Sequence, residues 1–201
     1  MKFGIVLLLA LTACRHAPKA LVDPELAMYM PPGATVIAGI DLDRLRATPL
    51  FAKIPEPFRD GSYALVGYDG KALVTASRTG SRVSVSGGAV KGNPPDLLRH
   101  ASDAPIWIVA RGSSTLPLTG NLSNLNRLLH QTQYTMVTAR VGERVDLEMT
   151  GVCVSPEVAQ HLEENVRAIA TLMKFPLQVR REGTVIHATG SISIEAAGSL
   201  F

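Results

Sequence analysis

The 201-residue sequence contains little cysteine, little aromatic side chain and no concentration of charge of one sign. Only 5% of its residues are aromatic, its formal charge is +3, and its longest run of basic residues is Arg180-Arg181. A nucleic-acid-binding surface combines a basic stripe with interleaved aromatic residues. The sequence therefore predicts no nucleic-acid partner.

Metal and cofactor motifs are also absent from the sequence. None of the five histidines has the spacing of a metal-ligand pair, and neither cysteine neighbours a histidine. The sequence contains no P-loop, no G-x-S-x-G and no dinucleotide-binding fingerprint. We predict no metal site, no cofactor and no catalytic residue. A Ser-His-Asp triad assembled from distant residues stays open, because triad order varies between folds.

The N-terminus has the composition of a secretory signal. Lys2 supplies a positive charge, and the apolar run Phe3–Leu11 follows it. The run is shorter than the roughly 20 apolar residues that a membrane-spanning helix needs. We predict a signal peptide over residues 1–13. A buried apolar segment containing an ordinary Cys14 is the alternative.

The signal ends in Leu11-Thr12-Ala13-Cys14, which resembles the lipobox of bacterial lipoproteins. The resemblance implies cleavage between Ala13 and Cys14, diacylglycerol on the Cys14 thiol and an acyl group on the new N-terminus. Several acyl chains hold a protein on a membrane far better than one. We therefore expect a membrane partner through the lipid at Cys14, on the cell membrane or the outer membrane, with the domain facing the periplasm or exterior. Arg15 stands where aspartate would indicate inner-membrane retention, which favours the outer membrane.

The mature chain has the composition of a globular protein, with 46% apolar and 18% charged residues. We assign residues 14–30 to the acylated cysteine and a tether. Residues 31–103 form a first α+β unit, and residues 104–201 form a second unit that could be continuous with the first. Cys153 then has no cysteine partner within the mature chain except the acylated one, and its valine neighbours predict a buried apolar position. An exposed thiol that pairs between molecules is the alternative.

Alternating and continuous apolar segments predict strands, and several hairpins connect them. In Arg144–Thr150 the pattern places Val145 and Leu147 on a buried face and Asp146 on a wet face. In Arg82–Ser86 it predicts that Val83 and Val85 are buried. Asp69-Gly70 and Gly142-Glu143 predict tight two-residue turns, Asp43 is expected to cap a short helix, and Ser155-Pro156-Glu157 predicts the start of a long one.

The two halves of the chain show a similar order of elements. Aligning Ala34 with Ala104 brings Tyr63 close to Tyr134 in the alignment. We predict an α+β fold of antiparallel sheet with helices packed on one face, and two degenerate split β-α-β units of ferredoxin-like layout are one form that it could take. Duplication and convergent periodicity both remain open.

The functional expectation follows from the anchor and from the absence of catalytic motifs. We expect a non-catalytic envelope lipoprotein that binds another envelope protein or a ligand through its sheet or loops. The first candidate contact loop is Gly112, Ser113, Ser114 and Thr115, although the same segment could be a plain connection. A periplasmic hydrolytic enzyme and a purely structural envelope component are the alternatives. The segment around PPGATVIAGIDLDRLRATPLF resembles uncharacterised bacterial envelope proteins, which imply no activity.

Overall fold

The computed structural model describes residues 21–54, 56–89, 91–115, 124–172 and 176–198, so Ala13 and Cys14 lie outside the described residues. Nine described strands form one antiparallel sheet in the order β4-β3-β2-β1-β5-β6-β7-β9-β8. The strands are β1 (Val36–Asp41), β2 (Tyr63–Tyr68), β3 (Leu73–Thr79), β4 (Arg82–Ser86), β5 (Ile106–Arg111), β6 (Thr132–Val141), β7 (Val145–Cys153), β8 (Leu177–Glu182) and β9 (Val185–Ile192).

The described helices are short except for one, and none of them is long and apolar enough to cross a membrane. Helix α5 begins after Ser155, whose hydroxyl accepts a hydrogen bond from the Val158 N–H at 3.3 Å, as the sequence predicts. The helices are α1 (Pro24–Ala27), α2 (Leu42–Leu45), α3 (Glu56–Arg59), α4 (Asn124–Leu129), α5 (Pro156–Leu172) and α6 (Ile194–Gly198), with 3₁₀ helices at Pro49–Lys53 and Asp96–His100.

The two halves of the chain meet where β1 pairs with β5. Ala38 pairs with Ile108, which is 70 positions further along the chain. The other residue pairs between β1 and β5 are arranged symmetrically on either side of this pair. Tyr63 lies opposite Asp41 and Tyr134 opposite Arg111, so the two tyrosines occupy equivalent register positions. The two halves therefore form one continuous sheet about a local two-fold axis normal to it.

Helices cover both faces of the sheet, which corrects the prediction of helices on one face. On face A, the face that carries Ile37 and Trp107, the core includes Leu26 of α1 and Leu97 of the second 3₁₀ helix. On the opposite face, face B, α5 packs on Met149 and its cross-strand neighbours. The central strands are apolar on both sides and need cover on both. The wet face predicted for β7 is confirmed, since Val145 is buried and Asp146 is exposed.

The α+β class is confirmed, whereas a pair of ferredoxin-like units is not. Strands β1 and β2 are joined through helices, as are β5 and β6, yet each pair is antiparallel. In a split β-α-β unit the strands that flank the helix are parallel. Strands β7 and β8, which are joined by α5 and separated by β9, have that relation. Strands β4 and β5 are also parallel and flank the second 3₁₀ helix, but three strands lie between them.

Two predicted turns and one predicted helix cap differ in the structure. The connection between β2 and β3 is four residues long, because an Asp69 carboxylate oxygen accepts hydrogen bonds from two backbone N–H groups of the turn. The two-residue turn predicted at Gly142-Glu143 requires a positive φ at Gly142, and Gly142 does not adopt one. Asp41, not Asp43, caps α2 by accepting from the Arg44 N–H at 3.0 Å. Asp43 instead forms an ion pair with Arg46.

Candidate functional site

The predicted contact loop is held closely to the sheet. Gly112 and Ser114 are buried, and Ser113 and Thr115 are exposed. The Ser114 hydroxyl donates to the Thr35 carbonyl at 2.8 Å. A side chain at position 112 would collide with the Thr132 carbonyl. Only two of the four residues are therefore accessible to a partner, and residues 116–123 lie outside the described part of the chain.

The described histidines make separate contacts. His130 Nε2 is 3.4 Å from the Thr115 hydroxyl, and His187 Nδ1 is 3.3 Å from the Thr150 hydroxyl. Within the described residues neither histidine contacts a carboxylate, so neither contact has the third member of a triad. His100 stacks on Tyr134 with ring centroids 4.1 Å apart, and burial lowers its pKa.

Cys153 is buried, as predicted for a small apolar residue, and burial raises the pKa of its thiol. A thiol in this position is a poor nucleophile, because the thiolate is the reactive form. Among the described residues no three His, Cys, Asp or Glu side chains are grouped as a metal site.

Two concave regions lie in the C-terminal half of the sheet. On face A an open groove of ≈ 470 Å³ is lined mainly by polar side chains, including Thr138, Glu148 and Thr189. On face B a smaller cavity of ≈ 210 Å³ between α4, α5 and the sheet is almost wholly apolar. The Thr132 hydroxyl at its wall already contacts the Thr135 hydroxyl and the Leu129 carbonyl. The groove also includes the charged residues Arg140, Asp146 and Glu148, but neither region has a histidine or a cysteine among its described lining residues.

The most unusual surface is the outer edge of β4. Among the described strands, β4 pairs only with β3, and its residues 83–86 carry no charge. Val85 is 36% exposed, which corrects the prediction that it is buried. Val83 packs partly against the core on face A. An edge strand with free backbone groups and few charges is a template for another strand.

The N-terminal segment joins the fold directly beside this edge. Asp23 caps α1 and forms an ion pair with Arg78 of β3, the cross-strand neighbour of Val83. Glu25 contacts Arg78 at 2.9 Å and Lys91 at 3.4 Å. The Arg78 guanidinium holds the pKa of the Asp23 carboxyl below its usual range. The chain that arrives from Cys14 is therefore fixed on face A, one strand from the edge.

Part of the predicted tether consequently belongs to the folded core. Leu26 and Met30 are fully buried, although the sequence assigns residues 14–30 to a flexible connection. The signal that could have identified this segment is Asp23-Pro24-Glu25, a cap, a helix-starting proline and an acid in the first turn. The bare edge itself has no local signal, because it depends on strand order.

The comparisons with known proteins identify no relative. No protein-family model matches the chain, and neither a curated protein nor a solved structure matches it.

Proposed function

We propose that this protein is a non-catalytic lipoprotein of the bacterial cell envelope, held in a membrane by lipid on Cys14, that binds another envelope protein by strand addition to β4. Strand addition uses the free N–H and C=O groups of an edge for affinity and alternate side chains for specificity. The observation that carries the proposal is an edge strand, β4, that has no charge over residues 83–86 and pairs with only one described strand, beside the segment that arrives from Cys14.

The β4 edge supports this function better than the loop at residues 112–115. Two of the loop's four residues are buried, and the loop is tied to the sheet by Ser114. In the part of the chain that the structure describes, the backbone of β4 is by contrast paired on one side only. A hydrolytic enzyme is not supported by any described arrangement of histidine, hydroxyl and carboxylate groups.

The anchor is tested with the full-length protein expressed in a bacterium, beside a Cys14→Ala variant. We expect wild type in the membrane fraction, with the intact mass of a triacylated chain that begins at Cys14. The Cys14→Ala protein should keep its signal peptide and its full-length mass, because the thiol that receives diacylglycerol is missing.

Cys153→Ala is the matched control. It removes the other cysteine, which is buried, and should still be processed and acylated. If wild type and Cys14→Ala have the same unacylated, full-length mass and both remain soluble, the lipoprotein proposal is wrong.

A further inference from the structure

We propose that the partner of β4 is β4 of a second copy of this chain anchored in the same membrane. The two strands would pair antiparallel about Ser84 and extend the sheet across the interface. This proposal rests on the lipid anchor of the proposed function.

The sequence of β4 is complementary to itself in this register. An antiparallel pair centred on Ser84 places Val83 opposite the Val85 of the other copy and Arg82 opposite Ser86. Cross-strand β-branched pairs stabilise a sheet, and like charges directly opposite would destabilise it. The register places no like charges opposite one another. A slip by one residue would bring valine opposite polar residues of the other face, which disfavours it.

The pairing would also complete the core on face A. Val83 and Val85 both lie on that face, because their cross-strand neighbours are Arg78 and Ala76. Ala76 is fully buried, whereas Val85, at the rim, is 36% exposed. A valine of the second copy beside each of these side chains would remove apolar surface from water.

The positions of the two anchors agree with this symmetry. A two-fold axis between antiparallel strands is normal to the sheet, so it keeps face A of both copies on the same side. The N-terminal segment is fixed on face A by Asp23, one strand from the edge. The seven residue-to-residue steps from Cys14 to Leu21 span at most about 25 Å. Both lipid anchors can therefore insert in one membrane.

The opposite edge of the sheet is unsuited to this pairing. Strand β8 lies eight strand spacings from β4, a distance of roughly 40 Å at about 4.8 Å per strand. Its residues Arg180, Arg181 and Glu182 are charged. The backbone carbonyl of Val179 already accepts a hydrogen bond from Arg167 of α5 at 2.8 Å.

The interface is small, which makes pairing dependent on the membrane. A pair of five-residue strands buries less accessible surface than a stable protein–protein interface, which buries about 1,200 Å² or more. Anchoring two copies in one membrane raises their effective concentration without adding any contact. We therefore expect dimers on the membrane and monomers of the unanchored protein at the same concentration.

The test is disulfide cross-linking of a Ser84→Cys variant in bacterial membranes under a mild oxidant. Residue 84 lies opposite itself across the axis, and opposite Cβ atoms in antiparallel strands are about 5 Å apart. We expect a disulfide-linked dimer from Ser84→Cys. Gln178→Cys, an exposed position on β8, is the matched control and should give at least about tenfold less. Oxidised wild type checks that the buried Cys153 does not react.

Two double variants separate the pairing from the anchor. Ser84→Cys with Val85→Lys should lose the dimer, because lysine on the edge opposes strand pairing. Ser84→Cys with Cys14→Ala should lose both the acylated mass and the dimer. If acylated Ser84→Cys protein gives no more dimer than Gln178→Cys, self-pairing is overturned while the anchor stands. A cross-link from position 84 to a different protein, without dimer, also overturns self-pairing.

Discussion

The two edge strands of the sheet, β4 and β8, differ in how they are covered. At the β8 edge, α5 packs over the strand, and Leu162 and Val166 form a core cluster with Val179. At the β4 edge no described helix contacts the outer side, and Ser84 and Ser86 are exposed. Unprotected edges invite pairing, and proteins normally cover them or place charges on them. The β8 edge is therefore protected by a helix, whereas the β4 edge has no such protection among the described residues.

The ion pairs near the two edge strands also differ. Glu163 of α5 forms an ion pair with Arg167 of the same helix and a second ion pair with Arg181, and the second one ties the helix to β8. Arg82 is the only charged residue of β4, and it has no ion pair among the described residues. The ion pairs near β4 instead fix α1 through Arg78. An ion pair therefore joins α5 to β8 at one edge, whereas the ion pairs near β4 fix the N-terminal segment.

The largest expected difference is between two identical substitutions, Val166→Ala beneath α5 and Val85→Ala on β4. Val166 is 5% exposed, so its truncation should lower the free energy of unfolding by about 2 kcal/mol through lost burial and a new cavity. Val85→Ala should cost less than about 0.5 kcal/mol, as at most exposed positions. Urea denaturation of the unanchored domain measures both. Equal losses would show that β4 is as well covered as β8.

A smaller effect is expected where α1 is fixed beside β4. Asp23→Asn preserves a good helix cap and removes the charge that contacts Arg78. The loss should be about 1 kcal/mol at neutral pH, the upper end for partly exposed ion pairs. Because the folded-state pKa of Asp23 is lowered, ionised Asp23 stabilises the fold above its unfolded pKa. The difference between wild type and variant should shrink as pH falls below about 4, through the folded pKa.

Asp43→Asn is the control for that pH dependence. Asp43 pairs with Arg46, and both side chains are largely exposed. Exposed ion pairs of this kind contribute little to stability. Its unfolding curve should follow wild type between pH 3 and 7. A loss in Asp23→Asn that stays constant over the same pH range would contradict an ionic contribution from Asp23.

The sequence predicts much of the local structure because local patterns determine it. The alternation in Arg144–Thr150 assigns both faces of β7 correctly, and Ser155-Pro156-Glu157 marks the start of α5. Trp107 is buried, which agrees with its place in an apolar strand. Its ring lies over Gly39, where any side chain would collide with it. Each of these features depends on residues within one element or on the next strand.

The candidate site could not be predicted in the same way, because it depends on distant residues. Alternation places Val85 on face A correctly, but burial also needs a layer that covers its position, and β4 lies at the end of the sheet. Strand order is not encoded in the pattern of any single strand. Asp23 lies within the segment predicted to be a tether, yet its ionic partner Arg78 is 55 residues away in the sequence.

The smallest expected effect compares two glutamates at the β8 edge. Glu163→Gln removes the charge that accepts from Arg167 at 2.7 Å and from Arg181 at 3.1 Å, and Glu163 is 17% exposed. The loss of unfolding free energy should be about 0.5 kcal/mol and should diminish as salt is added, since salt screens exposed charges. Glu182→Gln makes the same charge change in the exposed pair with Arg180 and should show no measurable loss. If the two losses are equal, the ion pair between Glu163 of α5 and Arg181 of β8 adds nothing beyond surface charge, and the packing of α5 alone covers β8.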